Sequence, residues 1–252
     1  MALFRLAEVA VVGIVGATAL SAAPAMAAFA CNPAQSTTNS PYSQDKFKSV
    51  IDVSKLQIPD SGTCITNTNL RNYYYDPDNW YVDNTNMVFE IDNGAEAQRN
   101  ELRGNSFAAS RTNMAHTSRL RINVGGSYST GFTVAQIYSE SGGKPILRVE
   151  LIGSRSGLTN HLWGIYRTSA ESNAQFEYQS LGPAPSSFTD LTLVYNTSGT
   201  VTAKLGTGPT RTWSTNLSYW TPSNKTTYFK AGCYLQDAGD CYVRFSTLRF
   251  DT

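Results

Sequence analysis

Apolar and polar residues alternate along much of this 252-residue chain, and that period of two most limits what it can fold into. Residues 120–124, 147–151, 176–178, 201–205 and 242–246 each send every second side chain to one face, as a strand with one face in a core must. Asn-Gly, Gly-Gly, Ser-Gly and Gly-Pro pairs punctuate them as turns. No stretch keeps a helical period long enough for a long amphipathic helix. Many short strands joined by tight turns predict an all-β domain, a sandwich of two sheets or a jelly roll.

Composition narrows the function. Only 15% of residues are charged and the formal net charge is +1. That excludes a coiled coil or a charged disordered chain, and a general nucleic-acid binder would carry a basic excess. A local basic cleft for an acidic polymer stays open. Residues 9–28 are small and apolar, follow Arg5, and contain Ala25-Met26-Ala27, a small-x-small cleavage site. Residues 1–27 therefore read as a signal peptide, and the mature protein is expected to be secreted, extracellular or periplasmic. Gly13, Gly16, Ser21 and Pro24 interrupt the run and no second apolar stretch follows, so no membrane attachment is expected after cleavage. Residues 28–46 form a polar lead-in, and 47–252 one domain, expected to be a monomer.

All four cysteines follow the cleavage site, which in an exported chain implies two disulfides. The parsimonious pairing is Cys31–Cys64 and Cys233–Cys241, the second closing a hairpin. Their spacing is not that of a zinc site, and no metal or cofactor is expected.

Three strand-like segments carry unusual polar faces. In Arg99-Asn-Glu-Leu-Arg103, strand parity puts Arg99, Glu101 and Arg103 together; in Val134–Tyr138 it pairs Gln136 with Tyr138. In Tyr228–Gln236, it gathers Tyr228, Lys230, Tyr234 and Gln236, with Gly232 between them leaving room for something to approach the sheet. Together these faces make a hydrogen-bonding, net positive surface suited to an extended anionic sugar chain.

These segments resemble polysaccharide lyase family 7, the alginate lyases of jelly-roll fold. The family's blocks R-x-E-x-R, Q-I-H or Q-V-H, and Y-F-K-A-G-x-Y-x-Q occur here in order as RNELR (99–103), QIY (136–138) and YFKAGCYLQ (228–236). IDVSKLQIP (51–59) resembles the family's opening strand and AHTSRLRINV (115–124) the strand after the arginine block. The resemblance implies a jelly-roll sandwich with a concave substrate cleft, and β-elimination on a polyuronate. Arg99 and Gln136 would neutralise the uronate carboxylate while the C5 proton leaves. Tyr234 would be the main proton-transfer residue, with Tyr138 a second such group or a sugar-stacking one. Glu101, Arg103, Lys230 and Gln236 would position the chain. A tyrosine base, whose free pKa lies near 10, needs cations beside it, which Lys230 and an arginine could supply.

One departure bears on the substrate. The second block normally ends in His, the family's base for guluronate, whose C5 proton and O4 lie on opposite faces. Here it ends in Tyr138. Mannuronate and glucuronate carry both on one face, so one tyrosine can serve as base and acid. Mannuronate-type alginate or glucuronan is thus the expected substrate. His116 reads as structural, and His161 is the one candidate for a replacement base. The alternative is a non-catalytic sugar-binding jelly roll.

Overall fold

The computed structural model describes residues 34–59, 65–108, 110–111, 113–124, 131–140, 142–196, 200–214, 220 and 226–252. The signal-peptide segment, Cys31 and Cys64 lie outside them. Among the described residues the chain forms two antiparallel sheets packed face to face. The first runs in the order β1 (Ser54–Gln57), β4 (Arg99–Gly104), β14 (Thr226–Leu235), β7 (Gly131–Ser139), β8 (Lys144–Arg155), β9 (Leu158–Arg167) and β10 (Phe176–Pro183). The short β5 (Phe107–Ala108) joins it beside β14. The second runs β13 (Arg211–Ser214), β12 (Thr200–Leu205), β11 (Thr189–Asn196), β6 (Met114–Ile122), β15 (Gly239–Asp251), β3 (Asn86–Gly94) and β2 (Trp80–Asp83). This is the expected jelly-roll sandwich; four of the five alternating segments lie wholly in its strands, and the fifth, 120–124, runs two residues past the end of β6 at Ile122.

The core lies between the sheets. Leu102, Ala231, Ala135, Val149 and Gly164 follow one another across β4, β14, β7, β8 and β9 on the inner face. Gly164 makes space for Trp213 of the other sheet: a Cβ there would stand 2.3 Å from the indole Cη2. Phe229 of the first sheet packs against Phe250 of the second at 5.9 Å. The row one residue out of phase, on the opposite face, is polar, and it carries the site.

Two expectations change. Cys233 and Cys241 are bridged, but β14 and β15 belong to different sheets. The bond therefore clamps the sandwich together instead of closing a hairpin. The polar stretch before residue 47 is not a separate lead-in over its described part. Ser36 N–H donates to Tyr73 O and Val82 N–H to Asn39 O, and the helix α1 (Asp45–Ile51) spans the expected boundary. Composition marks where polarity ends, whereas backbone hydrogen bonds decide what belongs to the domain. The β2–β3 hairpin turns on Asn84 and Thr85, both at positive φ, without the glycine such a turn usually shows.

Candidate active site

The three blocks lie on neighbouring strands, β4, β14 and β7. Arg103 stands opposite Lys230, and Lys230 opposite Gln136. Arg99 is opposite Tyr234, and Tyr228 opposite Tyr138. A single sheet face thus collects the polar rows that strand parity picked out in the three segments.

A bulge shapes this face. β14 stays in register with β4 from Lys230 to Tyr234 but shifts by one residue against β7 between Ala231 and Tyr234. Gly232 sits in the bulge at φ 142°, and a Cβ there would lie 2.2 Å from Asn100 O. What approaches the sheet at Gly232 is thus the adjoining strand.

Glu101 is the second correction. It is fully buried, with Oε1 accepting from Gln136 Nε2 at 2.6 Å and Oε2 from Lys230 Nζ at 2.5 Å. A carboxylate so enclosed is engaged by protein and does not meet sugar. It holds Gln136 and Lys230 in place beneath the cleft floor. Burial pulls the Lys230 ammonium below its usual pKa, against the opposing pull of Glu101.

Above this floor the Arg99 guanidinium lies 4.5 Å from the Tyr234 ring centre. Among the described residues Arg99 has no carboxylate partner and nothing hydrogen-bonds the Tyr234 hydroxyl. Tyr138 is placed differently. Its hydroxyl donates to Gly143 O at 2.6 Å and its ring stacks on Tyr228 at 5.1 Å. Burial raises the Tyr138 pKa, opposed in part by Arg99. Arg103 ion-pairs with Glu140 and lies 4.0 Å over Tyr228. Gln236 is held between Arg148, which donates to its Oε1, and Thr133, to whose Oγ1 its amide donates.

Arg99, Gln136, Tyr138, Lys230 and Tyr234 line one cleft of about 230 Å³. It also takes in Lys144, Arg148 and Arg167, which the sequence reading missed. Alternation over Leu147–Leu151 puts Arg148 on the polar face of its strand, but does not say that this strand borders β7. Five cationic side chains on one cleft, with Glu101 buried below, make it a trap for polyanions.

Neither histidine enters this cleft. His116 is buried against Phe229 and Phe250, and burial pushes its imidazole down to about 3. It is structural, as expected. His161 Nδ1 pairs with Ser180 Oγ at 2.7 Å, farther along the same face on β9.

The family model described as alginate lyase matches residues 51–252. The chain belongs to the alginate lyase family. It is a polysaccharide lyase, and solved structures share its fold. The alginate lyase AlyC3 superposes with a TM-score of 0.72 at 20% identity, covering 87% of this chain and 98% of that one. An alginate lyase from Pseudomonas aeruginosa gives 0.67 at 19% identity, covering 79% and 98%. Alginate lyase A1-II', a member of polysaccharide lyase family 7, gives 0.64 at 19%, covering 83% and 97%. One AlyC3 structure holds dimannuronate, and one of A1-II' holds the substrate GGMG. A search of curated proteins found no match.

Proposed function

We propose that this lyase is secreted and cleaves polymannuronate-type alginate or glucuronan by β-elimination, with Tyr234 as both base and acid. The observation that carries this reading is the contrast between two tyrosines. Among the described residues the Tyr234 hydroxyl has no hydrogen-bond partner and the neighbouring Arg99 no ion pair, whereas Tyr138 has committed its hydroxyl to Gly143 O. Among those residues the cleft then offers one free proton-transfer group and no imidazole. One group suffices only where the C5 proton and O4 share a face. The dimannuronate held by a structural neighbour supports the same substrate class.

In the reaction the uronate carboxylate lies between Arg99 and the remaining N–H of the Gln136 amide. Charge building at C5 passes into that carboxylate and is met by groups already in place. The ionised Tyr234 oxygen takes the C5 proton, the C4–O4 bond breaks as the C4–C5 double bond forms, and the same proton passes to O4. Arg148 and Arg167 hold sugar carboxylates to one side. The test is ultraviolet absorbance of the unsaturated product on separate polymannuronate, polyguluronate and glucuronan. A sugar-binding protein without catalysis gives binding and no absorbance change.

A further inference from the structure

The row of cations crossing the cleft does not stop at Arg103. β1 pairs with β4 so that Lys55 stands opposite Arg103 and Gln57 opposite Glu101. Strand alternation puts Lys55 and Gln57 on the face that carries the cleft. Neighbours across five strands are then Lys55, Arg103, Lys230, Gln136 and Arg148. Four strand spacings span about 19 Å, room for several pyranose units.

At the β1 end a second cavity of about 380 Å³ opens, with Lys55, Gln57, Asn67, Arg103 and Ser106 among its walls. Arg103 is shared between this cavity and the row that leads to Lys230. It is fixed by Glu140, which also accepts from Ser106 and Thr226. Lys55 differs: it is exposed and, among the described residues, has no ion pair. Gln57 stands two residues from Lys55 on the same strand face and also lines the cavity.

We infer that this cavity is a distal subsite for the polyuronate, in which Lys55 pairs with the carboxylate of a sugar remote from the scissile bond. The inference rests on the polyuronate reading above, and goes beyond it in giving the cleft its extent and a residue through which chain length is felt. Remote contacts of this kind lend binding energy that short substrates cannot use.

The test measures affinity without turnover. Oligomannuronates of increasing length are titrated calorimetrically into Tyr234→Phe protein, with and without Lys55→Gln. The expected loss is about three- to tenfold for long oligomers, the size of one partly exposed charge-assisted contact. It grows with oligomer length and is recovered by Lys55→Arg. Methyl-esterified oligomers, which lack the charge, bind both proteins alike. Lys55 is exposed, so the substituted protein is expected to fold, and its melting temperature checks this. A loss equal at all lengths, or none at any length, overturns the subsite. If the wild-type enzyme yields no unsaturated product while the Lys55-dependent affinity persists, the lyase reading falls and this one stands.

Discussion

Lys230 Nζ stands 2.5 Å from Glu101 Oε2, and both side chains are closed off from water. Two buried charges of opposite sign tolerate each other only as a pair. Glu101→Gln keeps the shape but strands the ammonium, and turns an amide toward the Gln136 amide, which is itself a donor. The expected cost is about 3 kcal/mol in urea unfolding. Because burial already pulls the Lys230 pKa down and Glu101 opposes it, the variant's ammonium gives up its proton more easily. The penalty should therefore shrink as pH rises. An unchanged midpoint at neutral pH would mean that the pair is not buried as described.

Tyr234→Phe retains the ring, and with it the contact to Arg99. It deletes only the oxygen that moves the proton. kcat should fall by about two to four decades, the usual size of acid–base contributions. Oligosaccharide affinity should stay close to wild type, because Arg99, Arg148 and Arg167 remain. Comparable losses in affinity and kcat would demote Tyr234 to a binding residue.

His116 makes acid stability legible. Its folded pKa, about 3, lies below the unfolded value near 6.5, so the unfolded chain binds the extra proton. The sign follows: the neutral ring's contribution is intact above about pH 6.5 and is lost progressively as pH falls toward 3. The accumulated loss is on the order of 4 kcal/mol at the acid end. His116→Phe should flatten this limb of the stability curve, whatever it does to stability at neutral pH. A curve of unaltered slope would show that other groups govern acid unfolding.

The Cys233–Cys241 bond joins the strand of Tyr234 to the opposite sheet, with Cα atoms 6.1 Å apart and both residues buried. The enclosed loop is short, so the entropic gain is roughly 2.5 kcal/mol. Replacing both cysteines by alanine should lower the unfolding free energy by about that amount. Since neither the Cys233 nor the Cys241 side chain faces solvent, thiol reagents should reach these two residues only through unfolding, and reductant should leave their bond intact in the folded enzyme. Rapid labelling of Cys233 or Cys241, located by peptide mapping, in native, reductant-treated protein would contradict the burial.

Arg99, Gln136 and Tyr234 could be gathered from the sequence because strand parity assigns faces and the family blocks name the partners. Parity does not report depth. Nothing in RNELR shows that Glu101 lies below the floor while Arg99 lies in the cleft; that depends on Lys230 and Gln136 reaching it from two other strands. Arg148 and Arg167 stayed hidden for a related reason. They join the site only because β8 and β9 continue the sheet beyond β7, and such pairing of distant segments is not written in any local period. The opposite-sheet placement of β14 and β15 was equally invisible, since a sequence separation of 8 between the cysteines fits a hairpin or a crossover between sheets.

Position 138 carries the substrate argument. In the wild-type protein the Tyr138 ring stacks on Tyr228, its hydroxyl is donated to Gly143 O, and burial holds its proton more firmly. It is thus poorly disposed to act as a base on the face of the sugar away from Tyr234. Tyr138→His gives up the ring stack, at about 0.5–1.5 kcal/mol of stability. In exchange it places at that position a group with a pKa near 6.5, able to take a proton at neutral pH. With two groups, the C5 proton and O4 need no longer share a face. Activity on polyguluronate should appear or rise, with an acid limb in its pH profile near the imidazole pKa, while activity on the native polymer persists. Tyr138→Phe is the control: it lacks both hydroxyl and imidazole, and should leave polyguluronate uncleaved. The deciding quantity is kcat/KM on polyguluronate relative to polymannuronate and glucuronan, for all three proteins. A wild-type enzyme that already prefers polyguluronate would refute the single-tyrosine mechanism, and His161, on the same sheet face at β9, would be the base to test next.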